Sequence, residues 1–251
     1  MQKMNERLIS GLYKTLNILG DYLPEIVVGG GWAPFLYYRY LFRNRRYKPV
    51  FTRDIDFLVK PKLPIMGKKT VDRLLVEAGL KAEFKSRDNP PIIHYEGTIE
   101  GIDVEIEFLT DQTGSKPDVV LKVQEGLNAE ALRYVSLLIE NTLFLTIDDT
   151  DLMDDPLPLA VKVPTPAAYI FQKGLILKRR REYQKRAKDL YYIFDILAGS
   201  REIQHELVLE FSEFHRKHAK WYHSFMENLG ELFDGPESEG VLLVTEQISI
   251  D

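Results

Sequence analysis

Cysteine is absent from all 251 residues. Disulfides and thiolate metal sites are therefore excluded, and a reducing cytoplasm is the expected compartment. Long apolar runs are also missing. No stretch approaches the ~20 residues needed to span a bilayer. Met1 to Gly11 is polar and mixed in charge, so no signal peptide and no membrane partner is expected. There is no internal repeat and no low-complexity tract. An excess of positive charge is lacking too: the formal net charge is −5, which argues against generic binding of nucleic acid over the whole surface. That sum hides local bias. Residues 39–53 and 173–188 are strongly basic, and acids gather at Asp148 to Asp155 and near the C-terminus. Two basic segments in an acidic chain point to local anion sites.

What is present is ordinary for a globular protein, with 45% hydrophobic and 28% charged residues. The length suits one large domain or two smaller ones. Helix-like and strand-like segments both occur, so the class is mixed, α/β or α+β. Chemistry concentrates between Val27 and Asp56. An apolar run, Ile26 to Val28, leads into Gly29, Gly30 and Gly31. An aromatic-rich helical segment follows, and then Thr52-Arg53-Asp54-Ile55-Asp56-Phe57-Leu58-Val59. Alternation in that last part predicts a strand with one buried face. Asp54 and Asp56 then share one face, and Ile55 and Phe57 point into the core. Carboxylates so placed clamp divalent cations that also ligate phosphate. Glycines ahead of a helix let backbone N–H groups approach an anion. Each feature alone also reads blandly, as a turn and as a solvated strand face.

Ile102 to Thr110 alternates so strictly that Asp103, Glu105 and Glu107 share a face if it is a strand. Three like charges in a row repel, a cost that makes sense if the face looks onto metal. The bland alternative is an exposed acidic edge. His94 sits alone in a strand-like segment and reads as a packed or hydrogen-bonded residue rather than a metal ligand. His215, His218 and His223 read as surface histidines. Further along, Leu127 to Ile139 suggests a helix and Leu159 to Val163 a strand. Thr165 and Pro166 suit the cap and first position of a helix. Leu207, Leu209, Phe211, Phe214, Trp221, Phe225 and Leu229 are core candidates in a helical C-terminal region, and Val241 to Val244 either adds a strand or docks on those helices.

Strand, Gly-Gly, helix, then Asp-x-Asp on the next strand resembles the signature of the nucleotidyltransferase (polymerase-β-like) superfamily. Gly-Gly followed by Thr52-Arg53-Asp54-Ile55-Asp56 looks most like its AbiEii-type branch. The gap before Asp54 is longer than in compact members and holds a basic insertion, Arg43 to Lys48. The segment from Pro164 through Lys173, Arg179-Arg180-Arg181 and Lys188-Asp189 to Leu197 resembles that branch as well. The resemblance implies an α+β nucleotidyltransferase fold over residues 1–163, with a mixed, mostly antiparallel sheet flanked by helices, and a helical domain over residues 164–251. It implies transfer of a nucleoside monophosphate from an NTP, ATP or GTP, to a hydroxyl on RNA, protein or a small molecule. Asp54, Asp56 and Glu107 would be catalytic, with Glu105 as the alternative third carboxylate. These would hold two Mg²⁺ ions, for which Mn²⁺ may substitute. Gly29, Gly30, Gly31, Arg53, Lys173 and Lys188 would contact the nucleotide. An antitoxin partner is a further implication, and a non-catalytic nucleotide-binding protein acting through a partner is the alternative.

Overall fold

The computed structural model describes residues 2–43, 54–84, 93–112, 119–148 and 158–250. Arg53, most of the basic insertion, the turn at Asp88 to Pro91, the loop at Gly114 to Asp118 and the acidic patch beyond Asp148 lie outside them. Two compact units emerge, Met1–Leu36 with Phe51–Pro164, and Tyr37–Val50 with Thr165–Asp251.

The first unit is built on a mixed sheet. Helix α1 (Gln2–Ile18) buries Leu12, Tyr13 and Leu16 at helical spacing. Strand β1 (Val27–Val28) and helix α2 (Trp32–Leu36) follow, then β2 (Asp54–Leu58), α3 (Val71–Glu77), β3 (Lys81–Phe84) and β4 (Ile93–Ile99). Strand β5 (Ile102–Asp111) is central, followed by β6 (Val119–Gln124), β7 (Leu127–Leu132) and α4 (Val135–Glu140). The sheet runs β1-β2-β5-β4-β3, with β7 beside β5 and β6 on β7. Pairings β2–β5 and β5–β7 are parallel and the others antiparallel. Strands β8 (Thr142–Ile147) and β9 (Leu159–Pro164) form a separate antiparallel pair.

Alternation decides the two faces of the sheet. Ile55, Phe57, Val104, Ile106, Phe108 and Tyr95 point to the buried side. There the Phe57 and Phe108 rings lie 5.6 Å apart and the Tyr95 and Phe108 rings 6.1 Å apart. Each fully buried ring of this kind contributes roughly 1.5–3 kcal/mol. The Tyr95 hydroxyl donates to Asp72 Oδ1 on α3 at 2.9 Å. Burial, reinforced by that carboxylate, raises the Tyr95 phenol above its ordinary range. Helix α1 packs closely on β5: a Cβ at Gly11 would lie 3.0 Å from Val104 Cγ1. The opposite face of β2, β4 and β5 carries acids.

One helical expectation in this unit is corrected. Leu127 to Ile139 is not one helix: its first part is strand β7, and only Val135–Glu140 is helical. Leu-Asn-Ala-Glu-Ala-Leu is rich in helix formers, but it also alternates. Pairing with β5 and β6 buries Leu127, Ala129 and Ala131, and tertiary contact overrides weak local propensity. Strand β6 adds an element that local sequence pattern does not mark.

The second unit is helical. A π-helical turn at Tyr37–Leu41 joins α5 (Pro166–Ile176), α6 (Tyr183–Gly199), α7 (Gln204–Lys217), α8 (Ala219–Leu232) and α9 (Glu239–Ile250). Thr165 caps α5 by accepting from the Ala168 N–H at 3.2 Å, with Pro166 at the first position. Phe171 anchors the core, stacked 4.9 Å from Phe214 and edge-on to Phe225 at 5.2 Å. The Tyr38 hydroxyl donates to the Asp195 carbonyl at 2.7 Å. Val241 to Val244 is helical rather than a strand, and Leu243 and Val244 are buried where α9 docks on α6. Leu209 is corrected as well: it is 54% exposed and lies outside the core.

Candidate active site

The glycine turn comes first. The Gly29 N–H donates to the Asp56 carbonyl at 2.8 Å, which pins the turn to β2. Gly30 has φ +53°, and a Cβ there would collide with the Asp56 carboxylate. Glycine is thus required twice over, by left-handed backbone and by close approach. Gly31 completes the turn that opens onto α2.

The carboxylates come next. The parallel pairing of β2 with β5 sets Asp54 opposite Glu105 and Asp56 opposite Glu107. Neighbouring strands lie about 4.7–4.9 Å apart, so four half-buried acids occupy two adjacent levels of one face. Glu105 and Glu107, the two candidates for a third carboxylate, both lie in this row. Asp103, the third acid of β5, lies at the exposed end and accepts from Thr98 Oγ1 at 3.0 Å. The same levels continue onto β4, where His94 stands opposite Glu107 and Glu96 opposite Glu105. His94 is nine-tenths buried, with Nε2 3.4 Å from Glu96 Oε2. Its Nδ1 is buried with no hydrogen-bond partner among the described residues. Sequence reasoning did not join His94 and Glu96 to the row. The signal was the alternation His94-Tyr95-Glu96, legible only with the register in hand.

Hard carboxylate oxygens beside a backbone cradle that a Cβ would fill suit Mg²⁺ and phosphate. Among the described residues, no three His, Asp or Glu side chains converge into a ready metal cage.

Two further site candidates belong to the second unit. Lys173 on α5 pairs with Asp189 Oδ1 at 2.6 Å, and Arg180 Nε reaches Asp189 Oδ2 at 2.8 Å. Lys173 also stands 5.4 Å above the Tyr169 ring, and Lys188 stands 5.7 Å above that of Tyr192. Asp189 is 4% exposed. Burial alone would raise its carboxyl, but Lys173 and Arg180 outweigh that and hold it below the ordinary value. The contrast within this unit is Glu210, which accepts from Thr165 and is raised by burial. Arg53 lies outside the described residues.

Comparison with known proteins gives two findings. A family described as nucleotidyltransferase matches residues 13–213, most of the chain. No curated protein matches. Among solved structures, an antigenic nucleotidyltransferase-like protein from Paracoccidioides brasiliensis is 16% identical, with a TM-score of 0.41; the match covers 88% of this chain and 91% of that one.

Proposed function

The chain belongs to the nucleotidyltransferase family, and from that premise we propose that it transfers a nucleoside monophosphate from an NTP to a hydroxyl acceptor with release of pyrophosphate. The observation that carries this is the register of β2 on β5, which lines up Asp54 and Asp56 with Glu105 and Glu107 beside the Gly29-Gly30 turn.

Asp54, Asp56 and Glu107 would hold Mg²⁺, with Glu105 as the alternative to Glu107. Bound there, magnesium supplies charge neutralisation for the triphosphate and polarises the attacking hydroxyl. The chain's own residues do the rest. The backbone at Gly29 and Gly30 approaches the phosphates without a side chain in the way. Glu107 takes the proton of the acceptor hydroxyl. The hydroxyl oxygen forms a bond to the α-phosphorus, the bond from that phosphorus to the bridging oxygen breaks, and pyrophosphate leaves with the electron pair.

The test is thermal unfolding with each of the four NTPs, with and without Mg²⁺, alongside pyrophosphate release. Binding to the folded state raises the midpoint by mass action. The expected result is a shift that needs both magnesium and NTP, accompanied by pyrophosphate, with both lost in the Asp54→Asn, Asp56→Asn double variant. A shift in wild type with no pyrophosphate from a panel of hydroxyl compounds would favour nucleotide binding without turnover. No shift with any nucleotide would end both readings.

A further inference from the structure

The corner where α7 meets α8 gathers exposed cations beside aromatic rings. From Phe214 to Met226 there is no acid, although the chain as a whole is at −5. Arg216, Lys217 and Lys220 lie within that stretch, and all three are exposed. The side chains of Arg216 and Lys217 are 70% and 52% exposed. Glu213 faces both of them, at 3.4 Å and 2.6 Å. One carboxylate against three cations leaves a local charge of +2.

Rings stand among these cations. His218 stacks on Trp221, with centroids 4.7 Å apart and planes 9° apart. His215 lies 4.7 Å from Tyr222. Tyr222 has a packing role, since it also reaches Phe171 and Phe225 in the core. Trp221 is half-buried on α8. Local helix energetics account for part of the pattern: cations suit the last turn of α7, and Glu213 pairs along the helix. They do not account for Lys220 in the first turn of α8, where a cation is unfavourable.

We propose that this corner binds single-stranded nucleic acid. Arg216, Lys217 and Lys220 meet the phosphates, and the His218–Trp221 pair offers a platform on which an unpaired base stacks. A cationic track interleaved with aromatic faces is the chemistry that single strands require, because every base has a π-face. A duplex hides those faces. The inference stands on the second unit alone. If it fails, nucleotidyl transfer to another acceptor is untouched. If transfer fails, the binding surface is still there to be measured.

The experiment is fluorescence anisotropy on the full chain with a labelled oligonucleotide of roughly 12 nucleotides. It is run as single-stranded RNA, single-stranded DNA and duplex across a salt series. Binding of the single strands should weaken with salt, with a log–log slope near −2, from about −0.7 per phosphate contact. Combining Arg216→Gln, Lys217→Gln and Lys220→Gln should weaken binding at least tenfold and flatten the slope. Trp221→Ala should cost roughly fivefold or more with little change in slope. Glu213→Gln removes neither a cation nor a ring, frees Arg216 and Lys217 from their carboxylate partner, and should tighten binding at low salt, which guards against variants that merely misfold. RNA and DNA binding alike places recognition in phosphate and base; preference for RNA adds the 2′-hydroxyl. The assignment is overturned by any of four results: no binding at low salt, binding that survives the triple variant, duplex bound as tightly as single strand, or polyglutamate competing as well as the oligonucleotide.

Discussion

The two units arrange charge in opposite ways. In the first, Asp54, Asp56, Glu105 and Glu107 stand next to one another across a parallel strand pair. In the second, Asp189 stands between Lys173 and Arg180, with almost no exposure. Like charges in register repel one another. Opposite charges in contact are already complete, and their work is to hold a helix in place. The difference separates a row of like charges from a cluster of opposite ones without reference to either sequence motif.

The cluster of opposite charges should break most expensively. Asp189→Asn leaves Lys173 buried beside a neutral amide and should cost about 3–5 kcal/mol in chemical denaturation. The sign with pH follows from the lowered carboxyl. The stabilisation is present above the unfolded value of about 4 and is lost as pH falls through the lower folded value. Wild type should therefore lose stability on acidification below about pH 4 more steeply than Asp189→Asn. Parallel acid limbs would show that the cluster adds no stability. The family resemblance assigns Lys173 to the nucleotide as well. Unfolding of Lys173→Gln with and without NTP separates that role from its service to Asp189.

Gly30→Ala attacks the row of like charges from the neighbouring backbone. It forces a side chain into φ +53° and into the Asp56 carboxylate, and should cost about 1–3 kcal/mol. Magnesium-dependent NTP binding should go with it. A variant that binds normally would show that the turn is only a turn.

The smallest effect has the opposite sign. Without ligand, Asp54→Asn with Asp56→Asn should stabilise the fold by roughly 0.2–1 kcal/mol, by relieving like-charge repulsion across β2 and β5. Gain of stability together with loss of nucleotide binding would sharpen the contrast between the units. Loss of stability would mean that the row is held by structural partners in the way that Asp189 is.

Much of this was legible before the structure. Strict alternation fixed the faces of β2 and β5, because a strand's side chains repeat every two residues. Thr165-Pro166 marked the start of α5 through a capping rule that needs only local chemistry. What stayed hidden depends on distant pairing. Nothing local shows that Asp56 falls opposite Glu107, or that His94 extends the same row. Leu127 to Leu132 reads as helix until β5 and β6 lie beside it. Leu209 keeps the spacing of a core residue, yet the helix turns that position to solvent. The run from Lys173 to Lys188 reads from sequence as a local anion site, since one buried aspartate cannot be seen to gather two of its cations.

The segment beginning at Tyr37 groups with the helices that start 128 residues later, at Thr165. Tyr37 packs edge-on against Tyr169, and Tyr38 bonds to Asp195, 157 positions away in the chain. During synthesis these two rings emerge early and wait for most of the chain before their partners exist. The helical unit is therefore completed by a segment from the N-terminal part of the chain. Its assembly is a late, long-range event, slow by contact order, and a fragment starting at Thr165 would be born without the two tyrosines that fill it.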